Sequence, residues 1–188
     1  MPHVPAVTFP VLVLNGTVGV GKTTIGHAIS EILAGVELPH AFVDRDALSM
    51  SWPPRGRFNV DLANRNLAAV WMNFRARGAE RLIVAGVLES TDDVDALRAA
   101  VPGAAIMVCR LRASAAVREM RLRAREQGVG REWHLARSVE LETILDRVAI
   151  DDFSVENDGR PLVAVAHEIL ARAAWPPAHA PMEGAPRR

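Results

Sequence analysis

The sequence predicts an α/β protein, a three-layer sandwich around a mainly parallel five-stranded sheet. A complete glycine-rich loop at residues 16–23 stands between an apolar run and an amphipathic helical pattern, and strand-like and helical patterns then alternate five times. No internal repeat and no second domain boundary interrupt that alternation. We expect one domain over residues 1–174 and a flexible Pro/Ala-rich tail over residues 175–188, where periodicity is lost.

Composition narrows the class of protein. The 188 residues suffice for one stable core, 49% of them are hydrophobic, and the formal net charge is zero. That balance argues against a main role in binding nucleic acid or an anionic membrane. No secretory signal or long apolar span is visible, so a cytoplasmic protein is expected, as a monomer or homodimer. The single Cys109 lies in an apolar run and is expected to be a buried thiol.

The glycine-rich loop has the pattern G-x-x-x-x-G-K-[ST] and directly follows the apolar run 11–14. Its glycines allow backbone N–H groups to turn inward around phosphate oxygens, while the lysine reaches the β- and γ-phosphates and the threonine hydroxyl faces Mg²⁺. Lys22 is also the only lysine of the chain. We therefore expect ATP to be bound by Gly16, Thr17, Val18, Gly19, Val20, Gly21, Lys22, Thr23 and Thr24. The following helix is predicted to end at Gly35.

Two aspartates follow the second predicted strand, 41–43. Residues beyond the carboxyl ends of parallel strands line the ligand crevice, which would bring Asp44 and Asp46 near the phosphates. In the functional interpretation Asp44 holds Mg²⁺ with Thr23, and Asp46 accepts a proton from a substrate hydroxyl. In the alternative, an aspartate only caps a short helix that starts at Ala47, and Arg45 pairs with it on the surface.

The third predicted strand, 81–88, departs from expectation. Many phosphate-loop enzymes place a Mg²⁺-binding aspartate at the end of this strand, but here the sequence is Ala85-Gly86. Either Glu89 or Asp44 must then supply the carboxylate, and we favour Asp44.

The loop 51–58 contains two prolines, two aromatic residues and two arginines: Trp52, Phe58, Arg55 and Arg57. This composition suits a flat or an anionic acceptor. A solvated loop with the tryptophan packed into the core is the equal alternative. Asp61 is then predicted to cap a helix that extends to residue 77, and Thr91 to cap the next short helix.

A cluster of arginines follows the fourth predicted strand, 104–109. Arg118, Arg121 and Arg125 are three and four residues apart and share a helix face, which predicts a mobile lid at about 114–131. Arg121 and Arg125 would then close over the transferring phosphate, whereas Arg123 points elsewhere. A solvated basic face is the alternative. Trp133 and His134, at the start of the helix 132–148, are interpreted as structural or surface residues.

The last predicted strand, 149–155, leads through the turn 156–160 to a closing helix. The turn could contact an adenine base or be only a connection.

This order of features resembles the small kinases of the P-loop NTPase superfamily, such as the shikimate, gluconate and nucleoside-monophosphate kinases. The stretch 43–53 is similar to chloramphenicol phosphotransferases, in which an Asp followed by a small residue and Leu is the proposed base, here Asp46-Ala47-Leu48. The second half resembles tunicamycin-resistance ATP-binding proteins at 82–84, 121–125 and 158–170. Both narrower resemblances imply antibiotic modification or self-protection.

Together these features predict an ATP- and Mg²⁺-dependent phosphotransferase that acts on a hydroxyl of a small molecule, such as an antibiotic or a nucleoside. Lys22, Arg121 and Arg125 would stabilise charge on the phosphates, and Asp46 would act as the base. The alternative is a nucleotide-binding resistance or switch protein that sequesters its ligand without phosphorylating it.

Overall fold

The computed structural model describes residues 8–125 and 128–175. The described chain alternates strands and helices as follows: β1 Phe9–Asn15, α1 Lys22–Gly35, β2 His40–Asp44, α2 Arg45–Leu48, a 3₁₀ turn Arg57–Asn59, α3 Val60–Ala76, β3 Arg81–Ala85, α4 Thr91–Ala100, β4 Ala104–Arg112, α5 Ala115–Arg125, α6 Val129–Val148, β5 Phe153–Glu156 and α7 Leu162–Arg172.

The five strands form one sheet in the order β2-β3-β1-β4-β5, and every neighbouring pair is parallel. The predicted fold class is therefore confirmed. Strand β1 lies in the middle, and Leu12 pairs in register with Ile83 on one side and Met107 on the other. Because all carboxyl ends face the same edge, the loop that follows β1 emerges at the centre of that edge.

Successive residues of β1 point to opposite faces of the sheet and divide the core in two. Leu12 and Leu14 pack into the cluster that contains α1 and α7 residues such as Ile29 and Ile169. Val11 and Val13 pack into the cluster on the other face, with α3 and α4 side chains such as Leu67, Trp71 and Leu97. Burial of apolar surface on both faces explains why this strand contains an uninterrupted apolar run.

Several predicted element ends are wrong. Helix α3 begins at Val60, after Asn59 with a left-handed φ of 49°, so Asp61 lies in its first turn and does not cap it. Helix α4 is capped by Ser90, whose hydroxyl accepts from the backbone N–H of Asp93 at 3.2 Å, and Thr91 is its first residue. Strand β5 starts at Phe153, because residue 149 is the left-handed C-cap of α6.

The core extends slightly beyond the predicted domain end. Trp175 is 5% exposed and packs into the cluster beneath α7, although we expected it to begin the tail. Residues 176–188 of that predicted tail lie outside the described residues. Cys109 is buried, and burial raises the pKa of its thiol to about 12, as expected for an unreactive core cysteine. Across 8–125 and 128–175, no helix is long and apolar enough to span a membrane.

Candidate active site

The glycine-rich loop between β1 and α1 depends on three glycines in left-handed or otherwise positive-φ conformations. Gly16, Gly19 and Gly21 have φ values of 136°, 82° and 101°. A Cβ on Gly16 would lie 2.6 Å from the carbonyl oxygen of Leu111, and one on Gly21 would lie 2.9 Å from Nδ2 of Asn157. A side chain at either position would therefore meet both backbone strain and a steric clash.

Asn15 anchors the start of this loop. Its Oδ1 accepts from the backbone N–H groups of Gly16 at 2.9 Å and Leu88 at 3.1 Å. Its Nδ2 donates to the carbonyl of Leu88 at 3.2 Å and to Oδ1 of Asp151 at 3.3 Å. This buried amide therefore connects the loop with the segment that follows β3 and with the segment before β5.

The lysine of the loop is held by backbone carbonyls. Nζ of Lys22 donates to the carbonyl oxygens of Gly16 and Thr17, each at 3.0 Å. Burial lowers the pKa of Lys22 to about 8; nearby Asp46 and Asp44 oppose this shift, and Arg125 adds to it. An ammonium group that is costly to keep charged in the unliganded protein gains most when a polyanion binds beside it.

Thr23 and Asp44 come together as predicted. The Thr23 hydroxyl donates to Oδ2 of Asp44 at 2.7 Å, and Oδ1 of Asp44 accepts from the backbone N–H of Asp46 at 3.0 Å. Asp44 is thus also the N-cap of α2, which starts at Arg45, so the predicted start at Ala47 is wrong. Nor does Arg45 pair on the surface: it is buried and donates to the Val87 carbonyl.

Asp44 also lies beside the end of β3, where many phosphate-loop enzymes have a Mg²⁺-binding aspartate and this chain has none. It pairs in register with Ala85, the last residue of β3, so the neighbouring strand places a carboxylate at the same level of the sheet. Glu89, the other candidate, accepts from Nη2 of Arg137. The hydroxyl and carboxylate oxygens of Thr23 and Asp44 are ligands that Mg²⁺ accepts, together with substrate phosphates and water. In the described part of the chain no denser cluster of three or more His, Cys, Asp or Glu side chains forms a metal site.

A cavity of about 290 Å³ lies beside the loop, between α5 and the turn before α7. Nη1 and Nη2 of Arg121 donate to the carbonyls of Val20 at 3.1 Å and Asn157 at 2.9 Å. Nδ2 of Asn157 donates to the same Val20 carbonyl at 2.7 Å. The lining residues are Gly19, Gly21, Thr24, Arg121, Leu122, Arg125, Asn157 and Leu162. Loop, arginine helix and final turn thus surround one space that could hold the base and sugar of a nucleotide.

The three arginines of α5 that were predicted to share a helix face do not form one phosphate-facing set. Arg118 is buried and donates to the carbonyl of Ala113 at 2.5 Å and to Oε2 of Glu142 at 2.7 Å, so it joins α5 to α6. Arg121 and Arg125 line the cavity. Arg123 points away from the cavity, as predicted, and it pairs with Glu119. Residues 126–127 of the predicted lid lie outside the described residues, and its closing motion stays a prediction.

A larger cavity of about 580 Å³ adjoins the loop on its other side. Its lining includes Asp44 and Asp46, and Arg125 borders it as well as the smaller cavity. The complete lining is Val18, Asp44, Arg45, Asp46, Ala47, Ser49, Met50, Phe58, Asn59, Val60, Ala63, Val87, Glu89, Arg125, Trp133, His134, Arg137 and Leu141. The predicted base and the predicted Mg²⁺ ligand therefore face a space large enough for a drug-sized ligand.

Aromatic side chains form another part of this wall. The rings of Phe58 and Trp133 lie 6.1 Å apart in an edge-to-face arrangement, and the Arg137 guanidinium lies 5.1 Å from the centre of the Phe58 ring. The interpretation of Trp133 and His134 as merely structural or surface residues missed their place at the cavity. Arg137 and Asn157 were also missed, because a charged helix position and an asparagine in a turn have no distinctive pattern.

Of the described side chains in the loop 51–58, only Phe58 lines the larger cavity. Phe58 and Asn59 have left-handed φ values of 56° and 49°, and the buried Asn59 side chain holds the loop through the Ser49 carbonyl and the Arg55 N–H. Trp52 is 88% exposed, so the alternative with this ring in the core is wrong. The side chain of Arg57 lies outside the described residues.

Comparison with solved structures agrees with the fold. Neither a family model nor a curated protein matches the chain. Among solved structures, a gluconokinase from Sinorhizobium meliloti is 25% identical, with 89% of this chain and 93% of that chain covered and a TM-score of 0.56. This chain has the P-loop small-molecule kinase fold. Two further P-loop structures share the fold at lower identity.

A tunicamycin resistance protein from Deinococcus radiodurans is 20% identical over 92% of this chain and 99% of that one, with a TM-score of 0.62. A shikimate kinase from Bacteroides thetaiotaomicron is 16% identical over 89% and 99%, with a TM-score of 0.62. The P-loop kinase fold thus covers nearly the full length of each neighbour, and the presence of small-molecule kinases among them supports a kinase.

Proposed function

We propose that this P-loop protein is an ATP- and Mg²⁺-dependent phosphotransferase that moves the γ-phosphate to a hydroxyl of a small molecule. One observation carries the proposal: the larger cavity reaches Val18 of the loop, Asp44 and Asp46, and shares Arg125 with the smaller cavity. An acceptor in the larger space and a nucleotide in the smaller one would meet beside Lys22 and Asp46.

The loop and its neighbours would bind and orient the nucleotide. Loop amides and Lys22 would hold the phosphates, and Arg121 and Arg125 would add positive charge from α5. Thr23 and Asp44 would hold Mg²⁺, which supplies charge neutralisation on the phosphate oxygens when bound. Arg121 would also fix the shape of the loop, because it already donates to the Val20 carbonyl.

Transfer would begin with the acceptor hydroxyl oxygen, which attacks the γ-phosphorus while Asp46 takes the hydroxyl proton. The bond between that phosphorus and the β–γ bridging oxygen breaks, and its electron pair leaves with ADP. Asp46 lies in the first turn of α2 and lines the larger cavity. Since phosphoryl transfer depends mainly on positioning and charge, one base and this set of cations suffice in principle.

The test is ADP release coupled to mass spectrometry of candidate acceptors: nucleosides, sugars and antibiotics. We expect one class to gain a single phosphate with the wild-type protein, and Asp46→Asn to bind ATP normally but transfer at least about a hundredfold more slowly. Asp61→Asn, an exposed change in the first turn of α3, is the matched control and should retain activity. Full activity of Asp46→Asn would refute the assignment of the base.

A sequestering protein is the second candidate. It is favoured by the absence of a carboxylate at the end of β3, together with the engagement of both Asp44 oxygens by protein donors. Stoichiometric retention of one panel member with no phosphorylated product would support it over the phosphotransferase.

A further inference from the structure

The charges around the larger cavity balance. Among its described lining residues, Asp44, Asp46 and Glu89 oppose Arg45, Arg125 and Arg137, which gives a formal charge of zero. A pocket that binds a carboxylate normally contains an arginine whose charge no protein carboxylate balances. Its guanidinium then forms two parallel hydrogen bonds to the ligand carboxylate. The sequence left open whether the acceptor is flat or anionic, and this balance favours an uncharged molecule.

Two of the three described arginines that line the cavity, Arg137 and Arg45, are held by the protein itself. Arg137 pairs with Glu89 and, at 2.6 Å, with Glu140. Burial by itself would lower the pKa of Arg137, but its hydrogen bonds to these two carboxylates raise it above the ordinary value. Nη1 and Nη2 of Arg45 donate to the Val87 carbonyl at 3.1 Å and to Oδ1 of Asn64 at 3.2 Å. A carboxylate ligand would have to displace these partners.

The aromatic part of the wall supplies the opposite preference. Phe58 and Trp133 remain 44% and 50% exposed, although both line the cavity. Phe58 has a left-handed backbone, a costly conformation for an aromatic residue, and Arg137 lies over its ring. Exposed aromatic side chains at a cavity bind flat rings by stacking and by removing apolar area from water.

We propose that the acceptor is an uncharged alcohol bearing a planar aromatic or unsaturated ring, which stacks against Phe58 and Trp133 while its hydroxyl faces Asp46. This inference rests on the proposed function. The cavity of about 580 Å³ has room for a ring joined to a polyol or sugar. Met50 and Leu141 add further apolar surface to the lining of the same cavity.

Two matched probe sets test the ring and the charge separately by isothermal titration calorimetry without ATP. One set is phenyl β-D-glucoside, methyl β-D-glucoside and phenyl β-D-glucuronide; the other is uridine, ribose and orotidine. In at least one set we expect the uncharged ring-bearing member to bind roughly tenfold tighter than both partners. If in both sets the ring-free or carboxylated member binds equally well or better, or no probe binds in a ring-dependent way, the inference is overturned.

Variants assign the preference to this wall. Trp133→Ala should weaken the favoured probe about three- to tenfold and Trp133→Phe should restore most of the loss, as expected for stacking. Met120→Ala removes a comparably exposed apolar side chain on α5 outside the cavity and should change nothing. Equal affinity of the Trp133→Ala and wild-type proteins would contradict the stacking role.

Glu89→Gln tests the charge preference, because it should strengthen the binding of a carboxylated probe. It removes one of the two carboxylates that neutralise Arg137, so the carboxylated member of the favoured set should bind roughly tenfold tighter than it binds wild type. An unchanged affinity would show that Arg137 does not set the charge preference.

Adding ATP and following ³¹P NMR separates the two proposals. Ring-dependent binding without a new phosphate ester would leave the ring inference standing and overturn the phosphotransferase. Phosphorylation of the ring-free members alone would do the reverse.

Discussion

The hydroxyl of Thr23 donates to Oδ2 of Asp44 at 2.7 Å and thereby joins the first residues of α1 to the end of β2. The backbone of Asp44 pairs in register with Ala85, and its carboxylate also caps α2. One side chain thus fixes the spacing between the loop, where phosphates would bind, and the helix turn that contains Asp46. A change in the carboxylate should therefore affect the proposed Mg²⁺ site more than the apolar core.

Asp44→Asn is therefore predicted to raise the Mg²⁺ concentration needed for half-maximal nucleotide binding roughly tenfold, because a neutral amide is a much weaker ligand for a hard cation. The asparagine side chain can still cap α2, so the free energy of unfolding should change by less than about 1 kcal/mol. Magnesium titrations followed by calorimetry with ATP measure the first effect, and urea unfolding measures the second. An unchanged magnesium requirement would remove Asp44 from the proposed metal site.

The pH dependence of nucleotide binding follows from Lys22. Its pKa is lowered to about 8 from 10.5, so the unliganded protein loses this positive charge in mildly alkaline solution. Affinity for ATP should fall roughly tenfold between pH 7 and pH 9, and binding near pH 8 should take up a fraction of a proton. Calorimetry in buffers of different ionisation enthalpy measures that uptake.

The effect of Lys22 on the stability of the fold changes with pH in the opposite direction from its effect on ATP affinity. Between pH 8 and 10.5 the unfolded chain holds the Lys22 proton that the folded chain has lost, so this group stabilises the fold progressively as pH rises through that window. Lys22→Met should bind ATP weakly and show neither the alkaline loss of affinity nor the proton uptake. A flat wild-type affinity from pH 7 to pH 9 would contradict the lowered pKa.

The sequence predicts best those features whose residues are close together in the chain. The loop residues from Gly16 to Thr23 are contiguous, so their pattern specifies their geometry, and Asp44 follows from its place after a strand. Arg118 and Arg121 show the limit. Helical spacing predicts that they are near one another, but only the packed structure shows that one faces Glu142 and the other Val20.

The larger cavity was the least predictable part. Phe58 and Trp133 meet there although they come from segments far apart in the chain. Phe58 and the following Asn59 also have left-handed backbones, which few non-glycine residues adopt and which the sequence does not indicate. Asn157 was missed for a similar reason, since a buried asparagine in a turn is recognised only by what it contacts.

Gly21→Ala and Gly78→Ala separate backbone strain from the clash at the loop. Both glycines have similar φ values, 101° and 94°, but a Cβ on Gly78 would meet open space whereas one on Gly21 would lie 2.9 Å from Nδ2 of Asn157. Each change should destabilise the fold by about 1–2 kcal/mol, while only Gly21→Ala should weaken ATP binding, by at least about tenfold. Urea unfolding and calorimetry on both variants check this, and equal ATP affinities would show that Asn157 moves aside.

Glu142 of α6 joins this helix to β4 and α5. Its Oε1 lies 3.3 Å from Nη2 of Arg110 and 3.3 Å from Nη2 of Arg112, and its Oε2 lies 2.7 Å from Nη1 of Arg118. Two of these guanidiniums are almost fully buried. Glu142→Gln should therefore cost about 1–3 kcal/mol, since it leaves buried cations without a full counter-charge.

Glu119→Gln is the matched control, because it breaks an exposed pair with Arg123 and should cost less than about 0.5 kcal/mol. Urea is the appropriate denaturant, since guanidinium salts would screen both pairs. Because α6 also presents Trp133 and Arg137 to the larger cavity, Glu142→Gln should weaken acceptor binding more than ATP binding. If Glu142→Gln and Glu119→Gln were equally stable and bound the acceptor equally well, apolar packing alone would position α6.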